Sequence, residues 1–162
     1  MKIRKVTHNN RKKAFEVASY RKDYLFPYAK LEVQPSRENT IKNVYVDEEL
    51  ANEAFIYELE SGNEGTVHID HVLEYNRDPR YMRDLLLYKL TLAAQEGVRR
   101  SSLSKRELIR RLGTSPAQFY RLLDQTNYKK SLDKLMSLLH VLDCEIDLVV
   151  KMNPSRVHEA VN

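Results

Sequence analysis

The stretch 103–124, LSKRELIRRLGTSPAQFYRLLD, constrains the fold more than any other part of this chain. Its spacing predicts two short helices joined by a tight glycine turn. Ser104 and Glu107 fit a capping box, in which hydroxyl and carboxylate each cap backbone N–H groups at the helix start. Leu108, Ile109 and Leu112 form one apolar face at helical spacing. Gly113 ends the helix, because glycine takes the left-handed backbone conformation at little cost. Ser115 caps the next helix, and Pro116 sits at its first position, where no N–H is needed. Phe119, Leu122 and Leu123 face inward, which leaves Ala117, Gln118 and Arg121 pointing out. A helix pair with such a polar, cationic outer face fits a DNA major groove.

The segments around this pair read as α on one side and β on the other. Asp78 and Pro79 open a long helix expected to end at Gly97, burying Met82, Leu85, Leu86, Leu90 and Ala93. Ser131 caps a further helix, apolar at Leu132, Leu135, Met136, Leu139 and Leu142. Cys144 to Lys151, CEIDLVVK, alternates as a closing strand does. The first half reads as strands at 41–46, 54–59 and 66–70, with weaker ones at 3–6 and 30–33. SGNEG joins two of them as a hairpin loop, DEELAN reads as one helical turn, and the aromatics of 11–27 fit no clean period. The expectation is an α+β protein: a small β-rich domain over 1–77, an all-α helix-turn-helix bundle with a closing strand over 78–152, and a flexible tail over 153–162.

Composition narrows the function. The 162 residues suffice for one large or two small domains, and 31% charged residues argue against membrane burial. The longest apolar stretch, 85–94, is interrupted by Lys89, and no apolar h-region follows the basic start, so no membrane span or signal peptide is expected. One cysteine, Cys144, makes neither an internal disulfide nor a cysteine zinc cluster; it reads as a core residue, and the location reads as cytoplasmic.

The net charge of +4 is modest, but its distribution is not. Residues 98–130 carry nine Lys/Arg against two acids, net +7, and residues 1–46 carry eleven against four. Residues 47–78 carry ten acids against Arg77. Such segregation marks a region that faces a polyanion, the alternative being solvated helix faces. His68, Asp70 and His71 invite a metal reading, but on a strand only His68 and Asp70 share a face, so no metal is expected. The carboxylates of the acidic region lack an accompanying nucleophile or phosphate loop, and neither catalysis nor a cofactor is expected.

Residues 81–150 resemble the lambda repressor/Cro-like (XRE-type) helix-turn-helix family. The match is carried by Glu107-Leu108, Leu112-Gly113, Ser115, Phe119 and Leu122 and by the helix from Ser131 to Asp143. Residues 103–143 look most like the antitoxin-like branch, whose members regulate their own operons and in which a closing strand such as CEIDLVV also occurs. The N-terminal half, through NEAFIYELESGNEGTVHIDHVLEY, resembles a small β domain of unknown function that accompanies such domains in bacterial proteins. The family usually has Ala at Ile109 and Val at Thr114; Ile109 is expected to push the two helices apart or to be absorbed by a shift of the long helix.

By position, Ser115, Ala117, Gln118 and Arg121 are the candidates to read bases, with Gln suited to adenine and Arg to guanine. Ser104, Lys105, Arg106, Tyr120, Lys129 and Lys130 are the phosphate candidates; for Tyr120, partial packing stands as an equal alternative. The expected function is a sequence-specific DNA-binding regulator, a repressor acting as a homodimer on an inverted-repeat operator. The alternative is an antitoxin that neutralises a partner toxin and autoregulates its operon, and a third reading has the helix pair packing against protein.

Overall fold

Two three-stranded antiparallel meanders build the N-terminal half of the computed structural model, which describes residues 1–151. The first runs β1 (Ile3–Asn9), β2 (Ala14–Ser19) and β3 (Asp23–Pro27); the second runs β4 (Ile41–Asp47), β5 (Ala54–Leu59) and β6 (Glu64–His68). Alternation decides which face of each sheet is buried. Phe15 and Val17 of β2 and Tyr24 and Phe26 of β3 turn inward, as do Phe55, Tyr57 and Leu59 of β5. The ring of Phe15 lies 5.0 Å from those of both Tyr28 and Phe55, so one residue ties the sheets into a shared core. The stretch 11–27, without clean period as a whole, is therefore a strand, a turn and a strand, with Tyr20 at the exposed turn.

Three local expectations are corrected in this half. Residues 30–33 are not a strand: Tyr28–Lys30 is a 3-10 turn, and the Tyr57 hydroxyl serves both the N–H and the C=O of Val33 in place of a ladder. DEELAN is a turn rather than helix, with Ala51 and Asn52 both at positive φ. The strand expected over 66–70 stops at His68. There the His68 ring Nδ1 accepts the Asp70 N–H at 3.3 Å and starts α1 (Ile69–Tyr75), which buries Ile69, Val72 and Leu73.

The second half is helical: α2 (Pro79–Arg100), α3 (Lys105–Leu112), α4 (Pro116–Leu123) and α5 (Leu132–Val141). The chain divides into two compact units, the first ending at Leu85 and the second beginning at Leu86, inside α2. The first unit retains the opening of α2. Asp78 caps it by accepting the N–H groups of Arg80 and Tyr81, and is itself held by the Tyr24 hydroxyl and by Lys22.

Over its length α2 buries Leu87, Thr91 and Ala94, while Met82, Leu86 and Ala93, expected inside, are exposed. The apolar run 85–94 surrounds the helix, so periodicity alone does not set its phase; the small residues Thr91, Ala94 and Gly97 set it by allowing close approach. Gly97 accordingly does not end the helix. A Cβ placed there would sit 3.1 Å from Leu142 Cδ1, tight enough that Leu142 must give way by a few tenths of an ångström, and α2 runs past it to Arg100. The core comprises these residues with Leu108 of α3, Phe119 and Leu122 of α4, and Leu135, Leu138 and Leu139 of α5. Leu132 and Met136 of α5 are exposed, against expectation.

The closing strand is also corrected: residues 144–150 form no strand, and the second unit offers no sheet edge among the described residues to pair with. The tail expected over 153–162 lies outside the described residues.

Replacing Gly97 by Val would force β-branched carbons against Leu142. This is expected to destabilise the second unit by about 2 kcal/mol, in the range of overpacked cores. Amide hydrogen exchange should accelerate in α2 and α5 and leave the sheets of the first unit unchanged. Unchanged protection in α5 would contradict the packing role.

Candidate nucleic-acid interface

Each end of the α3–α4 pair is set by a local signal. Ser104 Oγ accepts the Glu107 N–H at 3.2 Å, and Ser115 Oγ accepts the Gln118 N–H at 3.2 Å. Gly113 caps α3 in the left-handed conformation, φ 63°, while the N–H groups of Gly113 and Thr114 return to the carbonyls of Arg110 and Ile109. Ile109 packs against the core only partly buried, at its edge.

The C-terminus of α4 has no glycine cap; Asp124 is extended there. Four carbonyls at this end nevertheless have side-chain donors. Asn127 Nδ2 donates to Arg121 O at 3.3 Å, and Gln95 Nε2 donates to Leu123 O at 2.8 Å. Lys130 Nζ donates to Leu122 O at 3.0 Å and to Asp124 O at 2.6 Å. Its third bond goes to the hydroxyl of buried Thr91 at 2.7 Å, which in turn donates to Leu87 O. Half-buried Lys130 thus directs all three donors to protein acceptors and fastens α4 to α2; a positive charge is also favourable at a helix C-terminus. Burial pulls its ammonium below the usual lysine range, opposed by nearby Asp124. The intervening loop is ordered by Asp124, whose carboxylate accepts both the N–H and the hydroxyl of Thr126.

The outer face of α4 is open. Ala117, Gln118 and Arg121 are exposed, and the side chains of Gln118 and Arg121 make no hydrogen bond or ion pair among the described residues. Ser115 lies at the same end, its oxygen engaged as the cap. Tyr120 is 53% exposed, edge-on to Phe119, with Lys105 Nζ 5.8 Å from its ring centre. An open groove of about 630 Å³ beside α4 is lined by residues that include Gln118, Arg121, Asn127, Lys129, Lys130 and Lys134.

The cations divide into two classes. Glu107 does not complete the expected capping box: its carboxylate binds Arg110 at 2.6 and 2.8 Å and Arg111 at 2.8 Å, since charge-assisted bonds outcompete a neutral N–H. Glu96 does the same for Arg99 and Arg100. Four arginines of the basic stretch are therefore paired. Lys105, Arg106, Arg121 and Lys129 have no ion-pair partner among the described residues. At the other suggested site, His68 is the cap of α1 with Nδ1 3.6 Å from Asp70, and no group of three or more potential metal ligands occurs among the described residues.

Sequence reasoning missed Gln95, Thr91 and Asn127. The available signal was negative: α4 ends at Leu123, and the positions next to it, Asp124 and Gln125, are neither Gly nor Asn.

The helix pair falls within a family match. Residues 97–155 match the family model of the Cro/C1-type HTH DNA-binding domain, and this part of the chain belongs to that family. No curated protein and no solved structure matches the chain.

Two measurements probe the site. Lys130→Met removes three donors and leaves the carbonyls of Leu122 and Asp124 without them, while the Thr91 hydroxyl keeps only its own bond to Leu87 O; it should cost the second unit about 2 kcal/mol in urea unfolding. A loss below about 0.5 kcal/mol would make the ammonium a solvent group. Hydrogen bonds from Arg110 and Arg111 hold the Glu107 carboxyl at about 2, well below its ordinary 4.5. Its support of α3 is complete above pH 4.5 and disappears as pH falls through about 2. A carboxyl NMR titration should show this value, and substituting both arginines with Ala should return it toward 4.5.

Proposed function

We propose that the chain is a sequence-specific transcriptional regulator, a repressor that binds an inverted-repeat operator as a homodimer. The Cro/C1-type domain makes it a DNA-binding regulator. The reading rests on one observation: α4 is fastened from behind through Lys130, Gln95 and Asn127 while Gln118 and Arg121 face outward with no partner among the described residues. A reading helix must be rigid where it meets the protein and unoccupied where it meets the base pairs. In this reading Gln118 and Arg121 pair with base edges, Ala117 touches a thymine methyl, and Ser115 sets the depth of entry. Ser104, Lys105, Arg106, Tyr120 and Lys129 contact phosphates and fix register. Lys130, with its donors spent internally, acts through the position of α4. One such helix covers half a site, which favours a two-fold dimer on a two-fold operator.

The acidic hairpin of β5 and β6, with Glu58, Glu60 and Glu64, favours a second reading in which the first unit holds a basic partner toxin. A stoichiometric basic protein purifying with the native chain would support it.

Selection of bound sequences from random DNA tests the main reading. A palindromic consensus is expected, with Gln118→Ala and Arg121→Ala each losing about 1–3 kcal/mol at one base pair per half-site. Arg106→Ala and Lys129→Ala should weaken binding to all sequences alike and lower the salt slope by about 0.9 for each phosphate no longer neutralised. Full affinity in both α4 variants would exclude this helix as the reader.

A further inference from the structure

The first unit is electrostatically two-sided. Residues 1–27, which hold the first meander, carry eight Lys/Arg against Glu16 and Asp23. Residues 41–68, which hold the second, carry seven Asp/Glu against Lys42. The sheets share a core, and each turns its other face away from it. Two of the eight cations are paired, Lys12 with Glu16 at 3.0 Å and Lys22 with Asp78 at 3.3 Å. Lys2, Arg4, Lys5, Arg11, Lys13 and Arg21 are exposed and have no ion-pair partner among the described residues.

Local backbone chemistry gathers some of these at one end of the sheet. Register slips by one residue at the start of β1, where Ile3 lies opposite Ser19 and Lys5 opposite Ala18. Arg4 is the extra residue, so Arg4 and Lys5 are both exposed where plain alternation would bury one of them. Next to them, buried Ser19 closes the turn from β2 to β3. Its hydroxyl accepts the N–H groups of Arg21 and Lys22 at 3.1 and 3.2 Å and donates to Lys22 O at 2.8 Å. This turn holds Tyr20 out, 80% exposed, with Arg21 beside it. On the outer face Ala18 lies between Lys5 and Asp23 and fills little space. An open groove of about 640 Å³ there is lined by residues that include Arg4, Lys5, Thr7, Ala18, Asp23 and Leu25.

We propose that this end of the first sheet is a second DNA-backbone contact, in which Arg4, Lys5 and Arg21 neutralise phosphates and the Tyr20 hydroxyl donates to a phosphate oxygen. It rests on the reading of the second unit as an operator-binding domain, and extends contact to phosphates outside the base pairs that α4 reads. Charge decides the occupant. A polyanion is drawn to the first meander and repelled by the second, so the polarity fixes which sheet meets it. Guanidinium, ammonium and phenol groups on a backbone position a protein without sequence preference. A chain already held on a duplex presents these groups at high effective concentration, so contacts too weak to bind alone still contribute.

The full chain is titrated with a selected operator duplex trimmed to its core, and with the same core extended by about one helical turn on each side. Wild type should bind the extended duplex more tightly and with steeper salt dependence. Replacing Arg4, Lys5 and Arg21 together by Ala should remove that advantage, weakening the extended duplex roughly tenfold and lowering its salt slope by about 0.9 for each phosphate no longer neutralised. Affinity for the trimmed core should stay at the wild-type value, which also shows that the variant is folded. Tyr20→Phe should weaken the extended duplex with its slope unchanged, since a neutral phenol releases no counterion. Glu58→Gln with Glu64→Gln should leave that slope unchanged; a drop as large as that of the triple variant would overturn the assigned face. A triple variant that binds both duplexes like wild type would overturn the contact, the result also expected if an acidic protein is the occupant. The operator reading would survive that result as long as Gln118→Ala still loses affinity for the trimmed core. If Gln118→Ala binds the core like wild type, α4 is not the reader, and the triple variant still decides whether the first sheet meets DNA.

Discussion

The C-terminus of α4 depends on one ammonium group. A helix that ends without a left-handed cap leaves its last carbonyls facing a partly apolar interior, where an unmet acceptor is costly. Lys130 meets Leu122 O and Asp124 O, and its third proton reaches Thr91, whose hydroxyl continues the chain to Leu87 O. Gln95 and Asn127 complete the set. The same bonds join α4 to α2, so the groups that satisfy the helix end also orient the helix. Gly97, further along α2, contributes by letting Leu142 close over the core.

In the proposed reading, this arrangement separates holding from reading. Cations that a simple charge count would assign to DNA are largely spoken for: Arg99 and Arg100 by Glu96, Arg110 and Arg111 by Glu107, and Lys130 by carbonyls. These surface pairs are exposed and screened by salt, so they shape the local field more than they stabilise the fold. What remains outward without an ion-pair partner among the described residues, Lys105, Arg106, Arg121 and Lys129, is a smaller set than the net +7 of the stretch implies.

Where structure is written in near-neighbour chemistry, the sequence is readable. Ser104, Gly113, Ser115, Pro116 and Ser131 each act within a few residues of themselves, and all mark helix ends where their chemistry points. The α+β character and the DNA-binding family were legible for the same reason. Tertiary decisions were not. The phase of α2 is hidden by an apolar run that surrounds the helix, and is resolved by small residues whose neighbours lie far along the chain. His68 reads as a strand residue until its ring is seen capping α1. Lys130 reads as one more surface cation, since nothing local reveals that Thr91, some forty residues earlier, waits for it. Residues 144–150 carry a strand pattern, but a pattern cannot supply the second strand that a ladder needs.

The direct measurement is side-chain nitrogen NMR of the lysine ammonium groups, free and with a selected operator duplex. If holding and reading are separate, Lys130 appears as a protected ammonium whose protons exchange slowly, and its signal stays in place when DNA is added. Lys105 and Lys129 exchange fast in free protein and shift on binding. A Lys130 signal that exchanges as fast as the other two, and shifts with them on DNA, would contradict the separation of holding from reading.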